Sequence, residues 1–134
     1  MMKLAQVLVV ALFLALTLSA CEDDEPGSSP DTAVLFGLNT PYNIGLGGVH
    51  DYYAYFRAST TSHTVNLTGL TADFGLFSYG TDSTYSGSGT ECNNNPGDNT
   101  SEACVIGPTT GNYYYYIRIR NYTAAHGVAT VTIN

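Results

Sequence analysis

Residues 111–122 read GNYYYYIRIRNY, and the spacing within that run decides the fold. Alternation with period two sends Tyr113, Tyr115, Ile117 and Ile119 to one face of an extended chain. Tyr114, Tyr116, Arg118 and Arg120 go to the other. The isoleucines mark the first face as core. The second is an outward stripe of two tyrosines followed by two arginines.

The same pattern continues on both sides. From residue 34 onward, glycine and proline punctuate short runs rich in Tyr, Thr, Val, Ile and Phe, with no convincing helical period. These runs predict strands at Val34–Leu38, Asp51–Ala58, His63–Leu67, Phe74–Tyr79, Cys104–Ile106, Tyr113–Tyr122 and Val128–Ile133. Turn chemistry separates them at residues 67–70 and 107–111. Residues 79–90, YGTDSTYSGSGT, read as a long polar loop. The expected fold is all-β, a small antiparallel, jelly-roll-like sandwich of about seven or eight strands.

The N-terminal segment has a different character. Met1, Met2 and Lys3 make a short positive start, residues 4–18 are apolar apart from Gln6 and Thr17, and Leu18-Ser19-Ala20-Cys21 closes the stretch. That order reads as a secretory signal peptide, too short to favour a spanning helix of about 20 apolar residues. LSAC resembles the lipobox of bacterial lipoproteins, which implies a diacylglycerol on Cys21 and cleavage before it. Residues 22–33, EDDEPGSSPDTA, combine acids with Pro, Gly and Ser. Such a composition reads as a flexible tether. The acidic cluster is either a solvated spacer or, by resemblance, a signal for export to the outer face of the outer membrane. The expected organisation is a signal peptide at 1–20, a lipidated cysteine and tether at 21–33, and one folded domain at 34–134.

Removal of residues 1–20 leaves no lysine. Arg57, Arg118 and Arg120 then face eleven Asp and Glu, a net charge of about −8. Such a surface repels phosphate backbones, so no nucleic-acid partner is expected. Of three cysteines, an odd number for an exported chain, lipidation of Cys21 leaves Cys92 and Cys104. These read as a disulfide in an oxidising compartment. The competing reading, a metal site, lacks a nearby histidine.

The order of HDYYAYFRA, HTVNLTGLTADFGLFSYG and GNYYYYIRIRNYTAAHGVATVTI resembles the bacterial pre-peptidase C-terminal domain, over about residues 45–134. That module is a small β-sandwich appended to secreted peptidases and other exported enzymes. The matching positions are Asp51, Tyr53 and Tyr55; Val65 and Leu67; Asp73 and Leu76; Gly111, Tyr115, Tyr116, Ile117, Arg118 and Ile119; then Val131 and Ile133. Two departures stand out. Gly75 occupies a position where the family carries an Asp, which weakens the calcium binding some relatives show, and Arg57 replaces an apolar residue.

Catalytic signals are weak. His50, His63 and His126 lie scattered at strand ends and turns, and no serine sits in a nucleophile elbow. Asp82, Glu91, Asp98 and Glu102 match no calcium-loop pattern, so the polar loops read as solubilising segments rather than a metal site. No cofactor and no metal are expected. Eleven tyrosines with no tryptophan either pack across strands or form a ligand-binding surface. The expected function is a non-catalytic, lipid-anchored module of the bacterial cell envelope. It would bind a polysaccharide, a matrix protein or a partner secreted enzyme through Tyr114, Tyr116, Arg118 and Arg120. The alternative is an assembly subunit that pairs through its sheet edges.

Overall fold

The computed structural model describes residues 25–92 and 100–134. The signal peptide, Cys21 and Asp98 therefore lie outside the described residues. The strands are β1 (Val34–Phe36), β2 (Tyr42–Leu46), β3 (Asp51–Ala58), β4 (His63–Thr68), β5 (Phe74–Gly80), β6 (Thr90–Cys92), β7 (Glu102–Ile106), β8 (Tyr113–Asn121) and β9 (Gly127–Ile133). They form two sheets, ordered β1-β3-β8-β5-β6 and β2-β9-β4-β7. Strands β2 to β9 supply four to each sheet in the order of a jelly roll. β1 adds to the first sheet in parallel with β3, with Leu35 opposite Tyr55. The all-β sandwich expected from sequence is present.

Alternation builds the core. β9 buries Gly127, Ala129, Val131 and Ile133, β4 buries Val65 and Leu67, and β8 buries Ile117 and Ile119. Phe36, Phe56, Phe74 and Leu76 fill the space between the sheets. The core is tightly packed at Gly127, where a Cβ would lie 2.5 Å from that of Ala72. Cys92 and Cys104 form a disulfide with Cα atoms 5.2 Å apart. The bond ties β6 to β7, the edge strands on one side of the two sheets, and so closes that side of the sandwich.

Three local features differ from the sequence reading. First, β2 and β6 were not expected. β2 carries Asn43 and Gly45 at its exposed positions, residues that rarely build strands, yet Ile44 and Leu46 alternate inward. Second, residues 27–33 carry backbone contacts that their composition does not register. Gly27 donates its N–H to the Thr32 carbonyl (2.7 Å), and its own carbonyl accepts from Tyr53 N–H (2.8 Å). Its φ of +80° and the Tyr52 ring against its α-carbon both require glycine. One backbone bond thus joins Gly27 to β3. Third, His63, at the start of β4, is buried.

Candidate binding face

The outward side of the five-stranded sheet is built by register. Across β3 and β8, Asp51 faces Arg120, Tyr53 faces Arg118, Tyr55 faces Tyr116 and Arg57 faces Tyr114. Across β8 and β5, Arg118 faces Phe77 and Arg120 faces Gly75. The stripe expected from alternation therefore exists, widened by Tyr53, Tyr55 and Arg57 from β3.

Its two halves behave differently. In the arginine half, Arg118 is only 13% exposed and lies 3.7 Å from Asp51, while Arg120 lies 3.8 Å from the same carboxylate. The Arg118 guanidinium sits 4.3 Å above the Phe77 ring and donates to the Ser88 carbonyl at 3.3 Å. Arg120 lies 5.9 Å from the Tyr122 ring. These cations are occupied by the protein itself, with an acid and aromatic faces as their partners. The ring of Tyr122 covers Gly75, where a Cβ would lie 2.6 Å from it. Glycine at position 75 thus makes room for this tyrosine. Tyr122 also donates to Glu91 (2.7 Å). Burial, then the bond to Glu91, pushes its phenol up to about 12.

The loop at 81–89 covers the middle of the face. Asp82 organises it by accepting from the backbone N–H groups of Thr84 (2.9 Å) and Ser86 (3.0 Å) and from both hydroxyls. These bonds, the Ser86 hydroxyl first, hold the carboxyl well below the usual range. The loop so shaped plants Tyr85 on the sheet. Tyr85 packs edge-on against Tyr53 (4.9 Å between centroids), Tyr79 (5.2 Å) and Tyr116 (5.5 Å). Burial raises its phenol well above the ordinary value. Composition reads this loop as polar; Tyr85 is the residue in it that signals its contact with the sheet.

The tyrosine half stays open. Tyr114 is 48% exposed. It meets Tyr55 edge-on at 5.3 Å, and Tyr55 stacks on Tyr116 at 5.5 Å. Arg57, beside Tyr114, is exposed and makes no ion pair among the described residues.

One pair imitates catalytic geometry. Ser59 Oγ lies 3.0 Å from His63 Nε2, and His63 Nδ1 lies 3.3 Å from the Asn134 carbonyl. However, Ser59 N–H also donates to Nε2 at 3.0 Å. The lone pair a general base needs already faces a backbone donor, and the orienting group is a carbonyl rather than an acid. The pair clamps the β3–β4 turn. No group of three or more metal-ligating side chains is present among the described residues. Asn121, wholly buried, donates to the carbonyls of Leu46 (3.1 Å) and Ala125 (2.9 Å) and accepts from Thr123. It is a turn organiser.

No protein-family model matches the sequence, and no curated protein matches it. Among solved structures, the pre-peptidase C-terminal domain of collagenase from Bacillus anthracis superposes with a TM-score of 0.55 at 18% identity. The match covers 76% of this chain and 94% of that one. The fold is similar to that of a pre-peptidase C-terminal domain. Two periplasmic inhibitors of g-type lysozyme, PliG of Aeromonas hydrophila and PliG of Salmonella Typhimurium, match at 11% and 10% identity with TM-scores of 0.47 and 0.42. They cover 76% of this chain and 96% and 98% of their own. Most of the positions that carry the sequence resemblance fall in the core or on the outer face of the sandwich. Val65, Leu67, Leu76, Ile117, Ile119, Val131 and Ile133 form core, while Asp51, Tyr53 and Tyr55 line the outer face.

Proposed function

We propose that this protein is a non-catalytic binding module, exported and held at the bacterial cell envelope by lipid on Cys21. Its ligand lies along Tyr55, Tyr114 and Tyr116, as a polysaccharide, a matrix protein or a partner secreted enzyme would. One observation carries the reading: the half-exposed Tyr114 packs edge-on against Tyr55, which stacks on Tyr116, beside Arg57, which makes no ion pair among the described residues. Tyrosine supplies rigid contact area with a polar tip at low entropic cost. The face excludes Arg118 and Arg120, which Asp51 and the aromatic rings occupy. Lipid anchoring rests on the LSAC sequence, and no helix among the described residues is long and apolar enough to cross a membrane.

The test is retention on glycan and matrix-protein arrays. Tyr114→Ala should abolish retention and leave the thermal melt nearly unchanged, since that ring is half in water. Retention equal to wild type would sink the tyrosine face as a site. Replacing Cys21 with Ser should release the protein from membranes, and continued pelleting would refute the anchor. Assembly through sheet edges is the second reading, favoured by Val105, 72% exposed on the edge strand β7. It requires concentration-dependent oligomers in light scattering.

A further inference from the structure

We infer that the groove beside β1 captures the carboxyl-terminal end of an extended apolar peptide, with Arg57 as its ionic anchor. The inference rests on the binding-module reading and names the ligand class. Three observations converge on this corner of the sandwich. The first is charge: Arg118 and Arg120 share Asp51, whereas Arg57, exposed on β3, has no acidic partner among the described residues. The second is shape: a groove of about 550 Å³ runs past Leu35, Leu38, Tyr42, Arg57 and Asn112. Leu35 and Leu38 stand 49% and 39% exposed, and Tyr42, stacked on Phe36 at 4.1 Å, forms a firm wall. The third is backbone: β1 is bonded on one side to β3 and has no strand on its other side among the described residues.

Each observation constrains the ligand. An open edge accepts an extended chain by backbone hydrogen bonds, and a strand added there places alternate side chains beside Leu35. The apolar lining selects an aliphatic or aromatic side chain over a sugar ring. The guanidinium selects a carboxylate, which its planar fork holds through paired N–H donors. Net charge decides how many carboxylates the ligand carries. With eleven acids against three arginines after residue 20, the chain repels a polyanion as a whole. A single carboxylate within a few ångströms of Arg57 meets the local cation, while the more distant acids are screened beyond about 8–10 Å. One carboxylate beside an apolar side chain is the chemistry of a peptide C-terminus. A polyuronate has the wrong charge density and no apolar group to fill the groove.

The test titrates full-length protein in detergent into fluorescein-labelled hexapeptides ending in Val-Leu, Val-Phe or Val-Val. Each is made with a free carboxylate and with a C-terminal amide, and binding is read by anisotropy. The free acids should bind, and amidation and Arg57→Gln should each weaken binding about tenfold. Leu35→Asp should abolish it. Arg57 and Leu35 are both exposed, so the thermal midpoints of these variants should stay within a few degrees of wild type. Equal affinity for acid and amide, or wild-type affinity in Arg57→Gln, overturns the inference. Absence of peptide binding also overturns it. If polygalacturonate or cellohexaose binds instead and Tyr114→Ala removes that binding, the tyrosine-face reading survives without the peptide groove. If neither peptides nor any array ligand binds, both fail.

Discussion

The hydroxyl of Tyr85 donates to the backbone carbonyl of Ala54 at 2.8 Å, joining the 81–89 loop to the middle of β3. A loop of Ser, Thr, Gly and Asp has no apolar surface with which to hold itself down. This one bond and the three ring contacts around it do so. Tyr85 adopts φ +50°, an uncommon conformation for a tyrosine, so the contacts offset some backbone cost as well. Tyr85→Phe should therefore cost about 1 kcal/mol in urea unfolding, the loss of one buried hydrogen bond. Tyr85→Ala should cost about 3 kcal/mol and open the loop to limited proteolysis. A Tyr85→Ala protein of wild-type stability with an uncut loop would show that the tyrosine holds nothing.

Alkaline titration should separate the phenols. Burial and the bond to Glu91 place Tyr122 at about 12, above the ordinary 10.0. Tyr85 is also raised, with burial the first cause. A pKa raised in the folded state means that the stabilisation is complete below the ordinary value and is lost as pH rises through the folded one. Stability should hold to about pH 10 and then decline. In phenolate absorbance these two residues should ionise last, and Tyr122→Phe should remove one late-titrating group. If all phenols ionise together near 10 in the folded protein, the packing around both rings is wrong.

Arg118 and Arg120 should behave as structural cations. Arg118→Gln leaves Asp51 with a weaker partner and strips the cation from the Phe77 ring, so a loss of about 1–2 kcal/mol is expected. Arg120, 36% exposed, should cost less than about 1 kcal/mol when replaced. Neither substitution should change retention of a ligand that Tyr114→Ala releases. Loss of retention in a fully folded Arg120→Gln protein would return the arginines to the site.

The contrast between these arginines and Arg57 shows what alternation can and cannot reveal. Period two placed Tyr114, Tyr116, Arg118 and Arg120 on one face correctly, because pleat geometry is local to β8. Which of them are free depends on what stands beside them, and that is set by register with β3 and β5. Asp51 is nearly seventy positions from Arg118, and only the antiparallel pairing of β3 with β8 brings it there. The same limit hid Tyr85, whose partners Tyr53 and Tyr116 come from two other elements. β2 was missed for a different reason. Asn43 and Gly45 interrupt its alternation with residues that favour turns, and pairing with β9 overrides that preference. The seven strands that are legible carry mostly apolar residues at their inward positions, so local pattern and long-range packing agree.

The disulfide gives the clearest test of how the two sheets hold together. β6 has three residues and no fully buried side chain, and among the described residues it pairs within its sheet only with β5. Besides the Tyr122 hydroxyl on Glu91, it is held by the bond from Cys92 to Cys104 on β7, across a sequence separation of 12. Closing a loop of that size restricts the unfolded chain by about 3 kcal/mol on the chain-entropy model. Reduction with dithiothreitol should lower unfolding stability by about that amount, and Cys92→Ser with Cys104→Ser should reproduce the effect. The loss should fall on the unfolding midpoint of the whole domain, because the core between the sheets is one cluster. Fraying confined to β6, with an unchanged global midpoint, would show that the sandwich closes on its core alone and that the bond only pins an edge.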